Sequence, residues 1–185
     1  MLEVEVKCPV KDFDDVKRRL AEWGARAEPP RQEVDHYFNA PDRDFAKTDE
    51  AFRLRRIGSK NWVTYKGPKR DQQTKTRTEI EVPLGDGDQT ADDFARLVQH
   101  LGFLPVAVVR KERTIYHCRR EGYEVEIALD TLQGLGRFVE VEIRAEEDRL
   151  SEARDVLLRV VGELGLKQTE RRSYLEMLLE RSRIV

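Results

Sequence analysis

Leu2-Glu3-Val4-Glu5-Val6-Lys7-Cys8 alternates charged and apolar residues without a break. Such alternation predicts a β-strand. Successive strand side chains point to opposite faces, so Glu3, Glu5 and Lys7 share one face and Leu2, Val4, Val6 and Cys8 the other. Taken alone, the segment fits a half-buried strand with its charged side in water. It equally fits a row of carboxylates that meets a cation, with a lysine beside them for an anion. The rest of the chain has to decide between these two.

Bulk properties narrow the field. The chain has 185 residues, enough for one domain, 1–185, with a real core. Its charged fraction is 38%, but 34 basic residues nearly cancel 36 acidic ones. That balance argues against a general nucleic-acid or membrane-surface binder, which needs a basic excess. No apolar run approaches the ~20 residues of a membrane span, and the start does not read as a signal peptide. Cys8 and Cys118 lie far apart in strand-like contexts and form no disulfide framework. A reducing cytoplasm is the expected location.

Further along, most segments repeat the pattern of the first. Helical spacing of Phe13, Val16, Leu20 and Trp23 follows Pro9, which is expected to end the first ladder, and Asp12, a candidate cap. Strands are predicted over Glu33–Phe38, Ala51–Ile57, Trp62–Lys66, Arg77–Val82, Val106–Cys118, Tyr123–Asp130 and Phe138–Arg144. Polar loops at 39–50 and 67–75 separate some of them. Phe94, Leu97, Val98 and Leu101 mark a second helix, and Leu150, Ala153, Val156, Leu157, Val160 and Leu164 a third. Ser173-Tyr-Leu-Glu176 fits a capping box at the start of a last helix.

About eight strands therefore carry charge on one face and aliphatics on the other. A flat sheet under helices, with its polar side in water, explains the alternation. It does not explain the choice of residues. Like charges recur at i and i+2: Glu3/Glu5, Arg53/Arg55, Lys111/Arg113, Glu124/Glu126 and Glu140/Glu142. Like charges about 7 Å apart repel unless counter-charges lie opposite. A closed sheet supplies these across its lumen, with the aliphatics outward under a jacket of helices. Acidic rows bind a hard divalent cation through oxygens, and basic rows bind phosphates. His36, His100 and His117 are too scattered for a zinc cluster, so Mg²⁺ or Mn²⁺ fits the donors better. Carboxylates, a metal and surrounding Lys and Arg make up the equipment of phosphoryl transfer.

At this point the residues resemble a known family. Glu3-Val-Glu5-Val-Lys7 resembles the ExExK signature of the CYTH superfamily, the triphosphate tunnel metalloenzymes. The likeness continues through Arg53-Leu-Arg55, Thr64-Tyr-Lys66, Arg77-Thr-Glu79-Ile-Glu81, Lys111-Glu-Arg113, Leu129-Asp130 and Glu140-Val-Glu142, up to Tyr174. ExExK alone is a weak pattern; seven motifs in order are strong. The segment from Asp35 to Arg55, together with Thr64-Tyr-Lys-Gly-Pro-Lys69, is most similar to the class IV adenylyl cyclase branch.

The resemblance implies an α+β fold, an eight-stranded antiparallel closed β-barrel with surrounding helices, that takes up a triphosphate with Mg²⁺ or Mn²⁺. It implies metal ligation by Glu3, Glu5, Asp130, Glu140 and Glu142. It implies triphosphate binding by Lys7, Arg53, Arg55, Lys66, Arg77, Lys111 and Arg113. Glu79 and Glu81 either orient the basic rows or bind metal, and Tyr174 closes one tunnel end. The expected reaction is conversion of ATP to cyclic AMP and pyrophosphate. Hydrolysis of inorganic or thiamine triphosphate uses the same equipment, and a nucleotide- or polyphosphate-binding module without turnover is a third reading. Base recognition is not legible, although the 39–50 and 67–75 loops offer polar residues. Pairing of two copies through an exposed aliphatic patch is the expected form of any assembly.

Overall fold

The protein is described by a computed structural model covering residues 2–70 and 76–182. The elements follow as β1 (Leu2–Val10), α1 (Asp14–Glu22), β2 (Arg26–Ala27), β3 (Arg31–Asn39), α2 (Phe45–Thr48), β4 (Ala51–Ile57), β5 (Lys60–Lys66), β6 (Glu79–Leu84), α3 (Asp88–His100), β7 (Leu104–Arg120), β8 (Tyr123–Leu132), β9 (Gly136–Ala145), α4 (Leu150–Glu163) and α5 (Tyr174–Ser182). Of the 67–75 loop, residues 71–75 lie outside the described residues.

The hydrogen-bonded order is β1-β9-β8-β7-β3-β4-β5-β6, with β2 against β7. The class is thus α+β with eight long antiparallel strands, but the sheet is open. This corrects the expected closed barrel. Closure needs a continuous ladder of N–H and C=O groups on the outermost strands. On the far side of β1, the described residues provide a single isolated bridge, Glu3 to Arg77, whose N–H···O distance is 3.4 Å. Pro9 does not end β1 as expected but pairs opposite Phe138. An outermost strand tolerates proline, because the missing N–H can face away from the ladder.

The chain divides into two compact units that interleave in sequence. The first contains Met1–Pro30, Arg70–Arg77 and Glu112–Arg171. In it, Val4, Val6 and Cys8 of β1, Val125, Ile127 and Leu129 of β8, and Val139, Val141 and Ile143 of β9 form one apolar face. Val16 and Leu20 of α1 and Ala153, Val156, Leu157 and Val160 of α4 cover it. Each fully buried aliphatic side chain contributes about 1.5–3 kcal/mol. Strand parity then sends Glu3, Glu5 and Lys7 to the opposite face.

The second unit contains Arg31–Lys69, Thr78–Lys111 and Arg172–Val185. Its core joins Phe38, Leu54, Phe52, Val63 and Leu84 of the sheet to Ala91, Phe94, Ala95 and Val98 of α3. Phe52 packs at a tilt on Phe38, Phe94 and Phe103, with ring centroids 5.3–6.3 Å apart. The capping box expected for α5 is present. The Glu176 N–H donates to Ser173 Oγ at 3.1 Å, and Glu176 Oε2 accepts from the Ser173 N–H. Ser173→Ala is expected to cost about 1 kcal/mol, read as a fall in Tm of roughly 2–4 °C for a chain of this length.

Candidate functional site

Much of the charged rows is not in water, although Glu81, Glu124 and Arg144 are exposed. Lys7 is 1% exposed, Glu33 0%, Asp35 2% and Asp130 0%. Glu3, Glu5, Arg53, Arg55, Lys66, Arg77, Lys111 and Arg113 are buried as well. Charged side chains are almost never buried this far unless they are paired. The solvated-sheet reading of the opening strand therefore falls, and the partners of these groups become the question.

In the first unit, the β1/β9 register sets Glu5 opposite Glu142, Lys7 opposite Glu140 and Glu3 opposite Arg144. On the other side of β9, Glu126 lies opposite Glu142. Carboxylates from three strands thus line up at one level. Burial, then the charge of Glu3 and a hydrogen bond to it, then Glu126, push the Glu142 carboxyl well above its usual value. A cation placed between Glu3 and Glu142 would relieve the repulsion between them. Asp130 and Glu140 are engaged differently. Arg113 donates through Nε to Asp130 Oδ1 at 2.6 Å, and through Nη2 to Asp130 Oδ2 and Glu140. Lys7 Nζ lies 5.7 Å from the centre of the Phe138 ring, and Arg77 joins β1 through the bridge at Glu3.

Among the described residues, no three carboxylate, histidine or cysteine side chains already converge as a metal cage. The donor chemistry nonetheless fits a hard divalent cation. Mg²⁺ is commonly held by one or two carboxylates, with waters and substrate phosphates completing its shell. Buried Glu3 and partly buried Glu142 make such a donor set.

In the second unit, the β3/β4 register sets Asp35 opposite Arg55 and Tyr37 opposite Arg53. Arg55 grips Asp35 with its fork, Nε to Oδ1 and Nη2 to Oδ2, both at 2.7 Å. Arg53 Nη1 reaches Asp35 Oδ2 at 3.4 Å. Glu33 Oε2 lies 3.3 Å from Arg55 and 3.2 Å from Lys111. Burial would raise the Asp35 carboxyl, but Arg53 and Arg55 outweigh it and hold the group well below the usual carboxylate range. Lys66 pairs with Glu79, Thr64 Oγ1 donates to Glu81 at 3.0 Å, and Lys111 Nζ stands 5.4 Å from the centre of the buried Tyr174 ring. Arg53 Nε is buried and, among the described residues, has no hydrogen-bond partner. An unpartnered guanidinium donor beside other cations has the chemistry that suits an anion.

Arg53 and Arg55 share one face of β4 as expected, but the sequence reading passed over Glu33 and Asp35, which pair with Arg55. Their signal was available: Glu33-x-Asp35 has the same i, i+2 spacing as the other rows.

The CYTH domain is matched over residues 1–174. This chain belongs to the CYTH domain family. It is 37% identical over 181 residues to "Putative adenylate cyclase MJ0240" of Methanocaldococcus jannaschii, covering 96% of this chain and 98% of the relative. It is 30% identical to "Adenylate cyclase CyaB" of Aeromonas hydrophila, covering 93% and 86%. The solved structure of the PH1819 protein from Pyrococcus horikoshii matches with a TM-score of 0.84 at 40% identity, covering 97% and 99%. Among the described residues of this CYTH protein, no helix is long and apolar enough to cross a membrane.

Proposed function

We propose that this CYTH protein is a metal-dependent adenylyl cyclase that converts ATP to cyclic AMP and pyrophosphate. The observation that carries the reading is the buried basic row of the second unit, where Arg53 Nε lacks an acceptor among the described residues. The two relatives named adenylate cyclase support the choice of reaction. In this reading Arg53, Arg55, Lys66 and Lys111 hold phosphate oxygens in the second unit, and Lys7, Arg77 and Arg113 do so in the first. Arginine forks grip two oxygens at once, while the lysines act as point charges. Glu3, Glu5 and Glu142, with Asp130 and Glu140, are assigned to Mg²⁺ or Mn²⁺. Such a cation supplies Lewis-acid neutralisation of the phosphates when bound.

The ribose 3′-oxygen attacks the α-phosphorus, the bond to the bridging oxygen of the β-phosphate breaks, pyrophosphate leaves, and the hydroxyl proton passes to solvent water. The arginines offset the charge that grows on the leaving group. Glu79 restrains Lys66, and Glu33 and Asp35 restrain Arg55 and Lys111, so the cations are set before substrate arrives.

The test is to incubate pure protein with ATP, tripolyphosphate and thiamine triphosphate, each with Mg²⁺ or Mn²⁺. Cyclic AMP and pyrophosphate in equal amounts are expected from ATP. Free phosphate from the triphosphates without cyclic AMP replaces the cyclase with a hydrolase. Binding without product ends the enzyme reading.

A further inference from the structure

Along the face of β5 that carries Lys66 and Thr64, the next residue in the same parity is Trp62. Its register neighbours are Arg55 on β4 and Pro83 on β6. Ile57, two residues beyond Arg55, continues the same face. Toward the hairpin at Gly58, the second unit's charged row therefore gives way to an indole, an isoleucine and an exposed proline. Trp62 is only partly buried and belongs to neither of the apolar clusters described above.

The indole is also unstacked. Arg55, its neighbour, is turned by its fork onto Asp35. Among the described residues, no ring and no cation stacks on Trp62, whereas Lys111 stands against the ring of Tyr174, which is itself buried. Four residues of strand put Trp62 about 13 Å from Lys66. That matches the reach from the terminal phosphate to the base in an extended nucleoside triphosphate.

We infer that Trp62 is the stacking platform for the planar heterocyclic base of the triphosphate substrate. The inference rests on the triphosphate reading above and adds to it the part of the substrate that phosphate-binding residues cannot distinguish. An aromatic platform suits any flat base, because every base has a π-face. Trp62 therefore separates nucleotides from bare polyphosphates rather than one nucleobase from another.

Two measurements test this. In Trp62→Ala, the KM for ATP should rise roughly 5- to 100-fold, the loss expected from one stacked base. The inhibition constant of tripolyphosphate, which has no base, should stay within about twofold, and Trp62→Phe should recover most of the loss. An unchanged KM, or equal weakening of both ligands, overturns the inference.

The second measurement does not depend on turnover or on the stability of the Ala variant. The chain has two tryptophans, and the ring of Trp23 is covered by Arg120 with its guanidinium 4.2 Å from the ring centre. In Trp23→Phe, the remaining emission reports Trp62. Saturable quenching by ATP, with none by tripolyphosphate, is expected. Equal quenching by both, or ATP binding without quenching, overturns the platform. If ATP quenches and yields no cyclic AMP, the cyclase reading fails while the platform stands. Thiamine triphosphate in the same titration then shows whether its ring is the one that stacks.

Discussion

Asp35→Ala lowers stability by about 3–5 kcal/mol, the cost of removing one partner from a buried ion pair, and lowers Tm by roughly 10 °C. The size follows from what is left behind. Asp35 is 2% exposed, accepts both arms of the Arg55 fork at 2.7 Å, and neutralises Arg53 as well. Without it, two guanidiniums remain buried in the second unit, with Glu33 at 3.3 Å from Arg55 and Glu79 at 3.9 Å from Arg53. The dependence on pH has a definite sign. The folded state holds the Asp35 carboxyl below its ordinary value. Its contribution is therefore fully present above the unfolded value of about 4 and is lost as pH falls through the depressed folded one. The gap between wild type and Asp35→Ala in urea unfolding should be constant from about pH 5 to pH 8 and narrow below about pH 4. A gap that persists unchanged in acid would show that the loss comes from packing rather than charge.

The same residue marks the boundary of what the sequence disclosed. β4 was predicted and found over Ala51–Ile57, because both of its faces are strongly typed: arginines on one, phenylalanine and leucine on the other. The capping box at Ser173 was legible because it is local. β2, two residues long, was not, since Arg26 and Ala27 are extended only through pairing with His117 and Tyr116, some ninety residues away. Openness of the sheet was equally hidden: alternation fixes which face a side chain takes, but not whether the outermost strands meet. Within the site, parity gave the rows, and long-range register decided their partners. Asp35 comes opposite Arg55 because the 39–50 loop has the length it has. Arg113 lies on Asp130 and Glu140, which the motif reading assigned to a cation, for a similar reason.

Glu142→Gln should make the cation-free protein more stable and the enzyme far less active. In the folded state Glu142 is penalised in its charged form, first by burial and then by Glu3 and Glu126. A raised carboxyl contributes stability that is complete below the unfolded value of about 4 and is lost as pH climbs through the folded one. At neutral pH, a neutral amide of nearly the same shape relieves that penalty. A gain of about 1 kcal/mol is the usual scale for such charge relief, or roughly 2–4 °C in Tm measured in EDTA. If Glu142 holds Mg²⁺ or Mn²⁺, the substitution removes one hard oxygen donor, and kcat/KM should fall by at least about a hundredfold. Added Mn²⁺ should raise the Tm of the wild type but not that of the variant. Opposite movements of stability and activity separate the two roles open to this residue. An ion-pair partner, held in place by Arg144 at 3.0 Å, would lose stability on substitution or leave it unchanged, and would keep its turnover. A carboxylate kept at a cost for the sake of a cation does the reverse.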